Sequence, residues 1–324
     1  MSTGGKVATK FRETFRVVQK DVLRWFPGHM GKGLKQMQQK LKNVDCIVEV
    51  HDARVPISGR YTDFKQTISG LKPHIFILNK KDLSDERFSK AIEERLHREG
   101  ISNVLFTNLK DQTCSNMKKI LPLAKNLIVN SNRYHRSEEL SYEMMVIGVP
   151  NVGKSTLINR LRHTYLGKSR ATQVGAIAGV TRSVLNRIKI CEDPPFYLLD
   201  TPGILAPSIK DIESGLKLAL IGCLQDHLVG PEIIADYLLF WLNKRKRFEY
   251  VEKLNIPEPM DDILEVLLAT AVKLGKMKKV RTYDNQINVI PDIDIAANHF
   301  IKLFRNGDLG HICLDEDVLE SQNT

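Results

Sequence analysis

A glycine-bracketed turn ending in Lys-Ser constrains this chain more than any other stretch of its 324 residues. Gly148-Val-Pro-Asn151-Val152-Gly153-Lys154-Ser155 fits the pattern GxxxxGK[ST], with the apolar run Met144–Ile147 before it and a helical pattern after it. In that setting the glycines let backbone N–H groups curl around phosphate oxygens at a helix N-terminus, where the dipole adds to the attraction. Lys154 would reach the β- and γ-phosphates of a nucleoside triphosphate and Ser155 would ligate Mg2+, with Thr156 beside them in the first helical turn. The bland alternative is an ordinary glycine turn before a surface lysine.

Two further motifs bear on that choice. Asp200-Thr-Pro-Gly203 follows the apolar run Phe196–Leu199. An acid ending a buried strand beside such a loop is a second anchor for Mg2+, held through a water, and Gly203 would offer its N–H to the γ-phosphate. Between the two lies the glycine-rich stretch Gly175–Arg182. A threonine there, Thr181, that ligates Mg2+ only when the γ-phosphate is present would make a switch and join Lys154 among the catalytic groups. Asn79-Lys80-Lys81-Asp82 closes the run His74–Leu78. A carboxylate at Asp82 accepts two hydrogen bonds from guanine N1–H and N2–H2, whereas adenine would leave it unpaired. The stems of Asn79 and Lys80 can flank the purine, and Thr107-Asn108 would add a backbone contact to the guanine O6.

Composition narrows the class without choosing it. Hydrophobic residues make up 42% and charged residues 27%, as in ordinary globular proteins, which excludes a rod, a collagen-like repeat or a largely disordered chain. No apolar run approaches the roughly 18 to 20 residues that cross a bilayer. Five isolated cysteines, with no CxxC pair, point to a reducing compartment rather than a disulfide scaffold. Lys and Arg number 48 against 38 Asp and Glu, a net charge of +10 that favours polyanionic partners. The cations cluster at Lys244–Arg247, at Lys273–Arg281 and in the first 24 residues. That opening stretch, basic, hydroxylated and free of acids before Glu13, reads equally as an organelle transit segment or as a basic tail.

Apolar runs alternate with helix-period segments over residues 44–203, the pattern of an α/β domain with a mostly parallel sheet and helices on both faces. The strands are expected at Asp45–Val50, His74–Leu78, Val104–Thr107, Met144–Gly148 and Phe196–Leu199, with Ser183–Ile190 an antiparallel edge. Helices are expected at Asp85–Glu99, Cys114–Ile128 and Lys154–Leu161. Strand signals vanish after Gly215, so a smaller all-helical domain is expected, with Asp261 and Asp292 as N-caps. The division expected is a basic segment at 1–24, an α/β domain at 25–207, a helical domain at 208–310 and a tail at 311–324.

The order of the motifs is informative. They resemble the boxes of the translation-factor class of GTPases, but the base-recognition box comes first and the phosphate loop second. That is the order of the circularly permuted GTPases of ribosome assembly, and moving termini between surface loops leaves core pairing intact. Trp25-Phe-Pro-Gly-His29-Met-Gly-Lys32, Asp45–Pro56 and Asp226–Gly230 are similar to the ribosome biogenesis GTPase A group. With the transit-like start, the likeness narrows to the mitochondrial branch of that group.

The resemblance implies GTP hydrolysis coupled to late maturation of the mitochondrial large ribosomal subunit by a monomer in the matrix, in peripheral contact with the inner membrane. It implies Mg2+, and a K+ bound through the side-chain oxygen of Asn151. One departure from ordinary GTPases matters. Ile204 stands where a water-orienting glutamine is common, and an isoleucine cannot hydrogen-bond water. The resemblance offers His29 as the substitute; the alternative is a histidine that packs on Trp25. Two other functions stay open: a nucleotide-gated ribosome-binding scaffold with little hydrolysis of its own, and a P-loop kinase or ATPase.

Overall fold

The computed structural model describes residues 11–16, 39–60, 72–133, 136–168, 186–201, 211–281 and 285–320. The Trp25–Lys32 signature with His29, the Gly175–Arg182 stretch with Thr181, and Gly203 and Ile204 lie outside those residues. The chain divides into two compact units, residues 24–225 with 311–324 and residues 1–23 with 226–310.

The first unit is built on six strands: β1 Cys46–Asp52, β2 His74–Asn79, β3 Val104–Phe106, β4 Tyr142–Ile147, β5 Asn186–Cys191 and β6 Phe196–Asp200. Their order across the sheet is β3-β2-β1-β4-β6-β5, parallel except for β5 at the edge. The inner strands are near-continuous apolar runs because both of their faces are covered: Ile47, Val48, Val50, Ile75, Ile77 and Met144 to Ile147 are all buried. Glu49 interrupts β1, with His51 Nε2 at 2.7 Å and His74 Nε2 at 3.0 Å. Burial would raise its pKa, but the two histidines hold it below the usual carboxylate range.

Outward from the middle, the sheet reads β1, β2, β3 on one side and β4, β6, β5 on the other, the chain visiting edge strand β5 before turning back into β6. The reversal point lies between β1 and β4, and the crevice beyond the C-terminal ends of strands at such a point is where open α/β sheets bind ligands. Helix Ser115–Val129 packs against β1, and Lys154–Leu166 against β5 and β6. Ser89–Arg98 buries Ile92 and Leu96 in one cluster with Ala53, Phe76, Leu78, Cys313 and Leu319. It starts later than the expected Asp85, because Asp85 caps a separate 3-10 turn, Glu86–Phe88, by accepting from Arg87 N.

The division falls at 225/226 rather than after 207. Helix Ile212–Leu220 and the turn that follows are bonded into the sheet unit: Gly222 O accepts from Asn151 Nδ2 at 2.6 Å and Pro150 O from Cys223 Sγ at 3.0 Å. Residues 311–320, expected as a tail, belong to that unit, with Cys313 and Leu319 in its core.

The second unit is not purely helical. Helices Pro231–Lys244, Ile263–Lys273 and Ile293–Asn306 pack around Tyr237, Phe300 and Phe304, but Met277–Arg281 (β7) and Ile287–Pro291 (β8) form an antiparallel hairpin. Both strands are exposed along nearly their whole length, so the sequence carries no alternation to mark them. Asp292 caps the third helix as expected, accepting from Ile295 N. The cap of the second is Asp262, not Asp261. Asp261 is taken by Arg12, whose N–H donates to it at 3.0 Å and whose Nη2 reaches Asp236 at 2.6 Å. Phe15 adds ring contacts with Tyr237 and Phe240. Residues 11–16 therefore have a packing role in this unit, which neither reading of the basic N-terminus anticipated.

Candidate functional site

The loops after β4, β1 and β2 and the Asp200-Thr201 end of β6 lie together at the C-terminal edge of the sheet. The loop after β4 has the backbone that its glycines foretell. Gly148 (φ 142°) leaves no room for a Cβ against Val50 O, and a Cβ on Gly153 (φ 108°) would run into the Asn79 amide. Asn151 is held at φ 60° by its bond to Gly222 O, and Val152 is fully buried. The helix then starts at Lys154, with its first-turn N–H groups turned toward the loop, and Ser155 and Thr156 are half-buried beside it.

Lys154 Nζ donates to Gly148 O at 3.0 Å and Val149 O at 2.8 Å. Burial lowers its pKa to about 8, with the Asp200 charge opposing the shift. Asp200, at the end of β6, has its pKa raised by burial against the pull of Lys154. Its Oδ1 is buried without a hydrogen-bond partner among the described residues. An acceptor bared beside a lysine is completed by a water on a hard cation, so the residues fit Mg2+. Thr201 of the same motif is structural: its buried Oγ1 donates to Val146 O at 2.6 Å.

The base-recognition box lies two strands away and is tied to this loop by Asn79. Its Nδ2 donates to Val152 O at 2.7 Å, while its Oδ1 accepts from Leu109 N at 3.0 Å and Thr107 Oγ1 at 3.5 Å. Asn79 is 4% exposed, so its amide is a strut between loops. Lys80 adopts a left-handed conformation, and Lys81–Leu83 form one 3-10 turn that leaves Lys81 and Asp82 exposed. The Thr107 N–H is engaged by Leu78 O, and the Asn108 N–H rests on Cys114 Sγ at 3.5 Å. Sulfur is a weak acceptor, so the Asn108 N–H is the one available to exchange for a base carbonyl.

Sequence reasoning missed what lies under the box. Asp52, opposite Asn79 in the β1–β2 register, is fully buried and holds Lys80 Nζ at 2.8 Å. Arg54 grips the same carboxylate with Nε at 2.9 Å and Nη2 at 2.8 Å. Burial alone would raise the Asp52 pKa; the two cations hold it well below the usual range. The available signal was the Asp-Ala-Arg run at a strand end, read above only as a likeness.

The low pKa of Lys154 has a measurable consequence. A triphosphate binds the ammonium form, so binding raises that pKa and takes up a proton. Calorimetry in buffers of different ionisation enthalpy should give about half a proton per nucleotide at pH 8, and affinity should fall about tenfold from pH 7 to 9. A lysine at its ordinary pKa would show neither.

A phosphate loop, an orphaned strand-end aspartate and a guanine-type box, assembled on a sheet whose motif order is rotated, define the class: a circularly permuted P-loop GTPase. The 50S ribosome-binding GTPase family matches residues 143–267. The chain is 57% identical over 313 residues to mitochondrial GTPase 1 of Aedes aegypti, spanning 96% of this chain and 99% of that one. It is 51% identical over 321 residues to mitochondrial ribosome-associated GTPase 1 of Bos taurus, spanning 98% and 96%. GNP-bound YlqF from T. maritima shares its fold, with a TM-score of 0.54 over 86% of this chain and 95% of that one at 24% identity. The chain belongs to the mitochondrial ribosome-associated GTPase 1 family, and it is a GTP hydrolase.

Proposed function

We propose that this mitochondrial protein uses GTP binding and hydrolysis to drive or check late assembly of the large ribosomal subunit, in support of mitochondrial translation. The observation that carries the reading is the Asn79 strut, which makes the guanine box and the phosphate loop one rigid cradle. Backbone N–H groups of Asn151 to Thr156 and the Lys154 ammonium hold the phosphates. Asp82 reads the base, with Lys80 and Lys81 beside it and Thr107-Asn108 at the far edge. Ser155, Thr181 and, through a water, Asp200 would hold Mg2+, which would neutralise charge on the phosphates, and Gly203 would offer its N–H to the γ-phosphate. The side-chain oxygen of Asn151, whose amide nitrogen donates to Gly222 O, would serve a K+. His29 positions the attacking water in place of the glutamine that Ile204 replaces.

The site of action is the matrix, with peripheral contact at the inner membrane, and the protein works as a monomer. Among the described residues no helix is long and apolar enough to cross a membrane. The test is GTP hydrolysis with and without purified mitochondrial large subunits, in potassium and in sodium buffer. A marked rise with subunits is expected in potassium. No rise would favour the scaffold reading, and full activity in His29→Ala on the subunit would remove that residue from the mechanism.

The hairpin offers the ribosome a defined grip. Its register sets Met277, Lys279 and Arg281 opposite Pro291, Val289 and Ile287, so the two cations share one face with exposed apolar side chains. Lys279→Glu with Arg281→Glu should weaken subunit binding about tenfold at moderate salt and leave GTP affinity unchanged, as cosedimentation and nucleotide titration would read.

A further inference from the structure

The chain leaves the helical unit at Gly310 and returns to the sheet unit for its last described residues. There, three of the four positions 312–315 bind the two loops that frame the guanine box. Ile312 N donates to Leu83 O at 3.1 Å, one residue beyond Asp82. Leu314 N donates to Arg54 O at 2.8 Å, the residue that fixes Asp52 and through it Lys80. The Asp315 carboxylate is fully buried and takes four donors: Ile57 N at 2.8 Å and Ser58 N at 2.9 Å on Oδ2, Ser58 Oγ at 2.5 Å and Lys217 Nζ at 3.3 Å on Oδ1. We infer that Asp315 is a positioning residue for the guanine nucleotide, and that the 311–320 segment is the clamp that keeps the base-reading loops in their binding shape.

The physical reason lies in what orders Asp82. It sits exposed in a 3-10 turn closed by Leu83 N to Lys80 O at 2.9 Å and Ser84 N to Lys81 O at 3.2 Å, with Lys81 N donating to Thr107 O at 3.1 Å. Of the groups that anchor this turn, the clamp reaches Leu83 directly and Lys80 through Arg54 and Asp52. A loop ordered before the ligand arrives does not subtract its ordering entropy from binding, whereas a loosened one releases the base sooner. A carboxylate is suited to the post because it only accepts; an asparagine would set an N–H2 group against an N–H or an ammonium.

The inference rests on Asp82 being the base-reading residue. The test is stopped-flow release of a fluorescent GDP from full-length variants, with kcat measured at saturating GTP. Asp315→Asn should release about tenfold faster and Ser58→Ala about threefold faster, with kcat within about twofold of the parent. Asp317→Asn is the control, because Asp317 also holds Lys217, at 3.0 Å, without touching the 57–58 turn. It should release at the parent rate. Parent-like release in Asp315→Asn, or equal acceleration in Asp317→Asn, overturns the inference. If Asp315→Asn does not fold, release from Ser58→Ala decides. Asp82→Asn separates the two readings: unchanged base preference there removes the guanine box itself and this inference with it, while an altered preference beside parent-like release in Asp315→Asn removes only the clamp.

Discussion

Asp82→Asn should move the preferred nucleotide from GTP to its xanthine counterpart. The parent carboxylate offers two acceptors to the N1–H and N2–H2 donors of guanine. The amide replaces one acceptor with a donor, which faces the guanine amino group and leaves two donors opposed. Xanthine carries a carbonyl at that position, and the pairing is restored. Sites built to hydrogen-bond a ligand group discriminate strongly, because a mismatch leaves polar groups unpaired. GTP affinity should fall about a hundredfold or more while xanthosine triphosphate gains by a similar factor. Competition of each triphosphate against fluorescent GDP would read both. Because Asp82 is exposed and its turn is held by neighbours, the melting temperature should stay at the parent value. Retained GTP preference would move the base elsewhere and reopen the kinase or ATPase reading.

Lys154→Met should abolish hydrolysis while sparing the fold, with a loss of about a thousandfold in kcat/KM. The ammonium is the buried cation that faces Asp200 across the phosphate loop, and a thioether cannot neutralise developing phosphate charge. Stability should move the other way or not at all. In the folded, nucleotide-free chain Lys154 has a pKa near 8 against 10.5 for the ordinary side chain, so keeping it charged at pH 7 opposes folding. Methionine fills a similar volume without that penalty. The melting temperature at pH 7 is therefore expected at or above the parent value, and the stabilisation that GTP gives the parent should vanish. Thermal scans with and without GTP separate the two effects. A variant that simply unfolds would show that Gly148 O and Val149 O depend on the ammonium for structure.

Motif residues told most where the backbone itself does the chemistry. The turn around Gly148 and Gly153 was legible because left-handed φ values and close approach admit little besides glycine, and that necessity is local. The inner strands were legible for a similar reason: runs such as Ile75–Leu78 are apolar enough to require cover on both faces. Hairpin β7–β8 was not, because a two-stranded ribbon exposed on both faces carries no burial pattern for a reader to find. Asp261 looked like a helix cap and proved to be a partner of Arg12, 249 positions away in sequence.

Residue type and local spacing alone thus determined the phosphate loop, the guanine box, the rotated order of the motifs and the α/β class, because each rests on interactions among neighbours in the chain. Tertiary structure alone decided that Asn79 ties the two halves of the cradle, that Asp52 and Arg54 underlie Lys80, and that Asp315 returns from the far end of the chain to brace the Ile57–Ser58 turn. A lone buried carboxylate or amide has no preferred partner in sequence. Its partner is whichever donor the fold carries to it before water is excluded, and an unpaired polar group in the interior is too costly to leave there.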